Sequence, residues 1–173
     1  MEFLLLSFIG VAITTSLRAK QKHSPIPEMA LSFEFNKDPK KWVPQFMDSD
    51  KNWCILELVP EGDSINAWQE MVSQQITFVK APLRLQVDFW KSGLLRADPE
   101  VVYKEEQKVD GSIIVTYTSH VAKESAIRRF IEAVDGIYMI AYHVRPAQRD
   151  EARIKIWMEI INGACLVPNP ERK

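Results

Sequence analysis

Histidine is the side chain best suited to acid–base or metal chemistry near neutral pH, and the sequence contains three, His23, His120 and His143. His143 stands near the end of a predicted strand, beside Arg145, where it could titrate or bind a ligand. A metal site would have to combine His120, His143 and a carboxylate, but their spacing matches no ligand motif. We therefore predict no metal and no cofactor.

Nucleophilic catalysis would need a serine and an acid in one pocket with His143 or His120. The candidate nucleophiles are Ser119 and Ser125. The chain has no G-x-S-x-G elbow and no H-E-x-x-H sequence. Its six glycines stand far apart, which excludes a phosphate-binding glycine loop. We predict no catalytic residues, and a hydrolase is the least favoured function.

Arg128 and Arg129 are adjacent in a predicted strand, so their side chains point to opposite faces of the sheet. If both faces are covered, one arginine is partly buried and needs a carboxylate partner. Glu132 or Glu57 could supply that carboxylate. We expect a structural ion pair here rather than an anion site.

The five tryptophans raise the question of a contact surface or ligand pocket. Three of them, Trp68, Trp90 and Trp157, lie on predicted apolar helix faces, so core packing explains them. The other two flank Pro44 and would mark a contact patch if they are exposed. The candidate contact or ligand patch therefore consists of Trp42, Trp53, His143 and Arg145.

The two cysteines, Cys54 and Cys165, belong to no C-x-x-C pair and cannot form a four-ligand zinc site alone. If the chain is exported, they are a candidate disulfide. The alternative is two buried free thiols, since cysteine packs well in cores.

The formal net charge is −1 and no basic stripe stands out. Nucleic acid and anionic lipid are therefore not expected as partners. Residues 3–14 are almost wholly apolar, too few to span a bilayer but typical of a signal peptide. We predict a signal peptide at 1–19, a linker at 20–29 and one domain at 30–170. An uncleaved membrane anchor, or a first helix of the domain, are the alternatives.

Two Asp-Gly pairs, at 110–111 and 135–136, lie between β-branched and aromatic stretches and predict two β-hairpins. Their strands span 101–107, 112–119, 124–134 and 137–145. Earlier strands are predicted at 31–35 and 53–59, with a short edge strand or irregular segment at 42–47.

Three helices are predicted. The first begins at Asp63 or Ser64 and carries its apolar residues at 65, 68, 72 and 76. The second follows Pro82, and the third runs from position 149 or 150 to Gly163. Residues 137–144 are apolar on both strand faces, which indicates cover on both sides. The expected fold is α+β, a single antiparallel sheet of about five to seven strands with helices packed on it.

Four motifs follow one another along the chain: ELVPEGDS at 57–64, INAWQEMV at 65–72, VDG at 109–111 and DGIYMIAYHV at 135–144. With the order of elements over about 30–165, they resemble the Mog1/PsbP-like α/β/α group, which includes small bacterial exported proteins. That group has no common catalytic motif, so the resemblance implies a binding or accessory role and transfers no functional residue.

These observations lead to two functional expectations. The first is a non-catalytic exported domain, periplasmic or secreted, that acts through contacts with a partner protein. The second is a carrier of a small apolar ligand, with a pocket between sheet and helices lined by tryptophan and tyrosine.

Overall fold

The computed structural model describes residues 25–170 of the chain. The predicted signal peptide, 1–19, and positions 20–24 of the predicted linker lie outside the described residues. The elements, in chain order, are β1 (Met29–Ser32), β2 (Trp42–Ser49), β3 (Trp53–Pro60), β4 (Glu70–Thr77), α1 (Leu83–Ala97), β5 (Val102–Gln107), β6 (Ile113–Ser119), β7 (Glu124–Ala133), β8 (Gly136–Val144), α2 (Glu151–Gly163) and β9 (Cys165–Pro168).

Seven strands form one antiparallel sheet in the order β2-β3-β4-β8-β7-β6-β5, and β1 pairs with β9 in a separate two-stranded sheet. The two predicted hairpins are confirmed as β5–β6 and β7–β8. Both turn glycines have positive φ, 82° at Gly111 and 155° at Gly136, as their Asp-Gly turns require. The α+β class agrees with this architecture, but the expectation of a single sheet holds only in part.

The predicted helix over residues 65–76 is wrong. Ser64 caps only a 3₁₀ turn at Ile65–Ala67, and the chain then forms β4. Val72 and Ile76 are spaced by four, which places their side chains on one face of a strand as well as of a helix. Because β4 lies between β3 and β8, both edges of its backbone are paired, and this ladder decides between the two structures.

Some strand boundaries also differ from the prediction. The first strand is Met29–Ser32 rather than 31–35, and it pairs with β9, which the sequence pattern did not indicate. The segment predicted as a short edge strand is an eight-residue strand, with an irregularity between Pro44 and Phe46. A proline at an edge strand agrees with its missing N–H donor.

The prediction that β8 is covered on both faces is confirmed, since all nine of its residues are buried. Tyr138, Ile140 and Tyr142 belong to a core cluster that includes α2, on what we call the α2 face. The alternate residues Ile137, Met139 and Ala141 pack in a cluster with α1, on the α1 face. The cores therefore lie on opposite sides of one sheet.

The α1 face is divided into two halves. The buried apolar residues beneath α1 come from β6, β7 and β8. On the neighbouring strands the same face carries the polar residues Glu57, Ser73 and Gln75 together with apolar Val59 and Met71, whereas their other face carries mostly core leucine, valine and isoleucine. Polar side chains thus lie where α1 does not cover the sheet.

Arg129 is the buried member of the arginine pair, with 5% of its surface exposed. Its Nη1 donates to the carbonyl oxygens of Ile161 (3.0 Å) and Ala164 (2.6 Å) at the end of α2. Its carboxylate partner is Asp110, so the predicted partners Glu132 and Glu57 are wrong for this residue. The guanidinium satisfies carbonyl groups that a helix end leaves free.

Candidate functional site

His143 is the centre of a polar cluster on the α1 face. Its Nε2 lies 2.9 Å from Ser73 Oγ, and its Nδ1 lies 3.6 Å from Glu124 Oε1. The sheet register explains this meeting, because β8 lies between β4, which supplies the serine, and β7, which supplies the glutamate. Tyr117, on β6, donates its hydroxyl hydrogen bond to the same glutamate.

The ionisation of the cluster follows from its burial. His143 is 3% exposed, and burial lowers its pKa, with the charges of Arg128 and Arg145 acting in the same direction. Burial acts against ionisation of Glu124, but contacts with His143 and Tyr117 lower the pKa of its carboxyl to about 2. At neutral pH the cluster therefore holds a neutral imidazole beside an ionised carboxylate.

The serine, histidine and glutamate are arranged in the order of a catalytic triad, yet the surroundings do not suit acyl transfer. Ser73 is 3% exposed and lies within β4. Its strand is paired on both sides, so its backbone N–H groups belong to the sheet ladder. Oxyanion stabilisation needs free donors aimed at the reacting oxygen. Within the described residues the trio therefore lacks the free backbone donors that acyl transfer would use.

The serines predicted as nucleophiles are elsewhere. Ser119 Oγ donates to Asp98 Oδ2 at 2.7 Å, and Ser125 Oγ lies 2.9 Å from Thr118 Oγ1. His120 is exposed in the loop after β6. Neither serine is a hydrogen-bond partner of His143 within residues 25–170, so the groups that a hydrolase would need do not meet at that histidine.

Two arginines stacked on indole rings border the cluster. The Arg128 guanidinium carbon lies 4.8 Å from the ring centroid of Trp90 and 5.4 Å from that of Tyr117. The Arg145 guanidinium lies 3.9 Å from the centroid of Trp68. All of these except the buried tyrosine are half-exposed, so they form a rim around a buried floor.

Only two of the four residues of the predicted contact patch lie together. His143 and Arg145 lie together beside Trp68. Trp42 lies on the α2 face and is only 3% exposed, so it is not available as a contact residue. Its Nε1 donates to Asp38 Oδ2 at 3.2 Å. Trp53 is half-buried at the start of β3. The contribution of Trp68 was missed because it was assigned to the core face of the wrongly predicted helix.

Trp42 belongs to an aromatic group beneath α2. Its ring centroid lies 5.4 Å from that of Trp157, which stacks on Tyr142 at 4.7 Å and 3°. Beside these rings, Arg153 makes a two-point ion pair with buried Asp38, at 2.7 and 3.0 Å. This group fixes α2 to the sheet and has no open side.

The two cysteines are free thiols, so the candidate disulfide is not formed. Cys54 is half-buried in β3, and burial raises its pKa to about 11. Cys165 is exposed at the start of β9, so the alternative of two buried thiols does not hold.

The outer surface of α1 carries two exposed apolar side chains one helical turn apart. Leu85 is 61% exposed and Phe89 is 74% exposed. They lie on the helix side opposite the predicted apolar stripe, of which Leu83 and Val87 are fully buried. We call this pair the α1 outer patch. In the sequence, this patch is indicated only by two apolar residues that lie outside the predicted apolar stripe of the helix.

A cavity of about 300 Å³ lies at the other end of the α1 face. It is lined by residues 79–82, before α1, and by residues from the β7–β8 hairpin, among them Ala133, Val134 and Ile137. Its volume is at the lower limit of small-molecule pockets. The lining is mostly apolar, with Lys80 and Glu132 as the charged members.

Within residues 25–170, no group of three His, Cys, Asp or Glu residues is arranged to hold a metal ion. Among the same residues, neither helix has the length and hydropathy needed to cross a membrane. Comparison with known proteins found no matching family model, curated protein or solved structure.

Proposed function

We propose that this chain is a non-catalytic exported domain that acts through protein contacts, and that the α1 outer patch is its contact surface. The observation that carries the proposal is the 74% exposure of Phe89, one turn from the exposed Leu85. Aromatic side chains supply much of the energy of protein interfaces when a partner buries them. The buried position of Ser73 and His143, without free oxyanion donors, supports a role other than catalysis.

We also propose that the fold is the α/β/α sandwich of the Mog1/PsbP-like group. Support comes from the two apolar clusters, one joining α1 and one joining α2 to opposite faces of the seven-stranded sheet. The resemblance favours a binding or accessory role.

Site-specific photo-crosslinking tests the contact. A benzophenone amino acid at position 89 should capture one protein reproducibly from the cell envelope or culture fluid. The same label at Val121, which is 67% exposed in a loop, is the matched control and should not. In the otherwise native chain, Phe89→Ser should abolish co-purification of that protein. Equal capture from both positions, or none from position 89, would contradict the proposal.

Export is tested by recovering the native protein and sequencing its N-terminus. A chain that starts near position 20 and is found outside the cytoplasm agrees with a cleaved signal peptide. An intact N-terminus in the membrane fraction would support the alternative of an uncleaved anchor. An intact N-terminus in the cytoplasm would contradict export.

The second candidate function is a carrier of a small apolar ligand, favoured by the cavity of about 300 Å³ beside α1. Calorimetric titration with octanol should then show saturable binding. Ala81→Trp, which places a large side chain in the cavity lining before α1, should abolish it. A titration without saturation would exclude this candidate and leave the contact proposal untouched.

A further inference from the structure

Arg128 and Arg145 carry positive charges that no carboxylate neutralises directly. Neither forms a salt bridge with any acidic residue of the described chain, whereas Arg84, Arg129, Arg149 and Arg153 all do. Arg145 Nη1 donates instead to the carbonyl oxygen of Ala122 at 2.7 Å. Arg128 is half-buried, and Glu124 and Glu57 lie near it without a direct ion pair. A half-buried guanidinium that no direct ion pair neutralises is costly unless an anion completes it.

Both guanidinium groups are held in place before any ligand arrives. Arg128 lies against Trp90 and Tyr117 and donates from Nη2 to the tyrosine hydroxyl at 3.1 Å. Arg145 stacks on Trp68 at 3.9 Å. Stacked arginines present planar N–H groups that match a carboxylate in shape. Preorganisation of this kind reduces the entropy that binding costs.

The floor between the two arginines has unused hydrogen-bonding capacity. Arg128 Nε is buried and has no hydrogen-bond partner within the described residues. His143 Nδ1 has the Glu124 carboxylate at 3.6 Å, beyond hydrogen-bond distance. His143 is 3% exposed, and unpartnered polar atoms are rare at that depth. Arg128 is linked to His143 through the hydroxyl of Tyr117 and the carboxylate of Glu124. Arg145 is linked to it through Trp68, whose ring centroid lies 6.2 Å from that of His143.

The charges of the cluster select the class of anion. The two arginines face one ionised carboxylate, Glu124, and a second, half-buried carboxyl, Glu57, whose pKa is raised by burial. The surplus positive charge is therefore at most one. A monocarboxylate, with a single negative charge, meets the least repulsion from Glu124 and Glu57, whereas a phosphate dianion meets more. The indole rings of Trp68 and Trp90 favour an apolar or aromatic remainder.

We propose that the polar cluster around His143 on the α1 face binds a small organic monocarboxylate, with the partly exposed Arg128 and Arg145 holding its carboxylate and the indoles of Trp68 and Trp90 contacting its apolar part. This site goes beyond the proposed protein contact and is separate from the α1 outer patch. The sequence analysis expected only a structural ion pair at Arg128 and Arg129, whereas this proposal gives Arg128 a role in binding an anion.

Titration of the full chain with phenylacetate, followed by tryptophan fluorescence, tests the site. We expect saturable quenching, and at least about tenfold weaker binding of 2-phenylethanol, which has the same ring without the charge. Arg128→Gln and Arg145→Gln should each weaken phenylacetate binding about tenfold or more. Arg149→Gln removes an exposed arginine that is already paired with Glu151, and it should leave the affinity unchanged.

Thermal melts separate a binding loss from misfolding, and Arg145→Gln is the more tolerant variant because its guanidinium is at the surface. The proposal is overturned if phenylacetate gives no saturable signal, if the alcohol binds equally well, or if both arginine variants retain full affinity. It is also overturned if inorganic phosphate binds as tightly as phenylacetate. None of these results bears on cross-linking at Phe89.

Discussion

Gly136 and Gly111 occupy equivalent places in two Asp-Gly hairpins, but their surroundings differ sharply. A Cβ added at Gly136 would lie 2.2 Å from the backbone oxygen of Thr77, a contact that no side-chain movement relieves. A Cβ at Gly111 would meet nothing within 4 Å. Both positions have positive φ, so alanine is strained at each. The two substitutions therefore share a backbone penalty and differ in a steric one.

We expect Gly111→Ala to cost roughly 1.5 kcal/mol of unfolding free energy, from the left-handed backbone alone. Gly136→Ala has the same backbone penalty and also displaces the end of β4, where Thr77 pairs with Ile137. It should therefore lower the unfolding free energy by roughly 4 kcal/mol. Urea denaturation followed by tryptophan fluorescence measures both. With an m value of about 2 kcal/mol/M, the midpoint should fall by about 2 M for Gly136→Ala and by less than 1 M for Gly111→Ala. Equal losses would refute the close approach to Thr77.

Three further outcomes follow from buried charge and exposure. Arg129→Met should lower the unfolding free energy by about 2–4 kcal/mol in urea denaturation, because it leaves carbonyls at the end of α2 without a donor and Asp110 without its partner. Glu124 has a folded-state pKa of about 2, below its ordinary 4.5, so its contribution is complete above pH 4.5 and is lost as the pH falls towards 2. Measured stability should therefore drop by about 3 kcal/mol more across this interval in the native chain than in Glu124→Gln. A maleimide at pH 7 should label exposed Cys165 well before Cys54, as mass spectrometry of timed samples can show, and equal rates would contradict the burial of Cys54.

The hairpins and both helices could be predicted because their signals are local. Asp-Gly pairs set the turns, and α1 and α2 have apolar stripes that fit only a helix. β4 could not be predicted, because Val72 and Ile76 share a face in either structure and the decision rests on pairing with β8, more than sixty residues away. Strand β9 pairs with the opposite end of the described chain, and no local pattern encodes that pairing.

The candidate site was predictable only in part for the same reason. His143 and Arg145 are close in sequence, and their types indicate binding. Ser73 is a hydrogen-bond partner of His143 although the two residues are seventy positions apart in the sequence. Their contact can be inferred only when β4 is known to be a strand paired with β8. The error in one element thus removed Ser73 and Trp68 from the predicted patch.

The division of the α1 face connects the fold to both proposals. One helix can cover about two or three strands, since it is about 10 Å wide and strands lie about 4.8 Å apart. α1 is placed over β6, β7 and β8, so the same face of β3 and β4 is not covered by it and carries Glu57, Ser73 and Gln75. The boundary between the two halves follows β8, and His143 lies on it with apolar Ala141 beside it on the same face. The polar cluster around His143 therefore lies at the border between the covered and the uncovered half of this face, and its position follows from the number of strands that a single helix can shield.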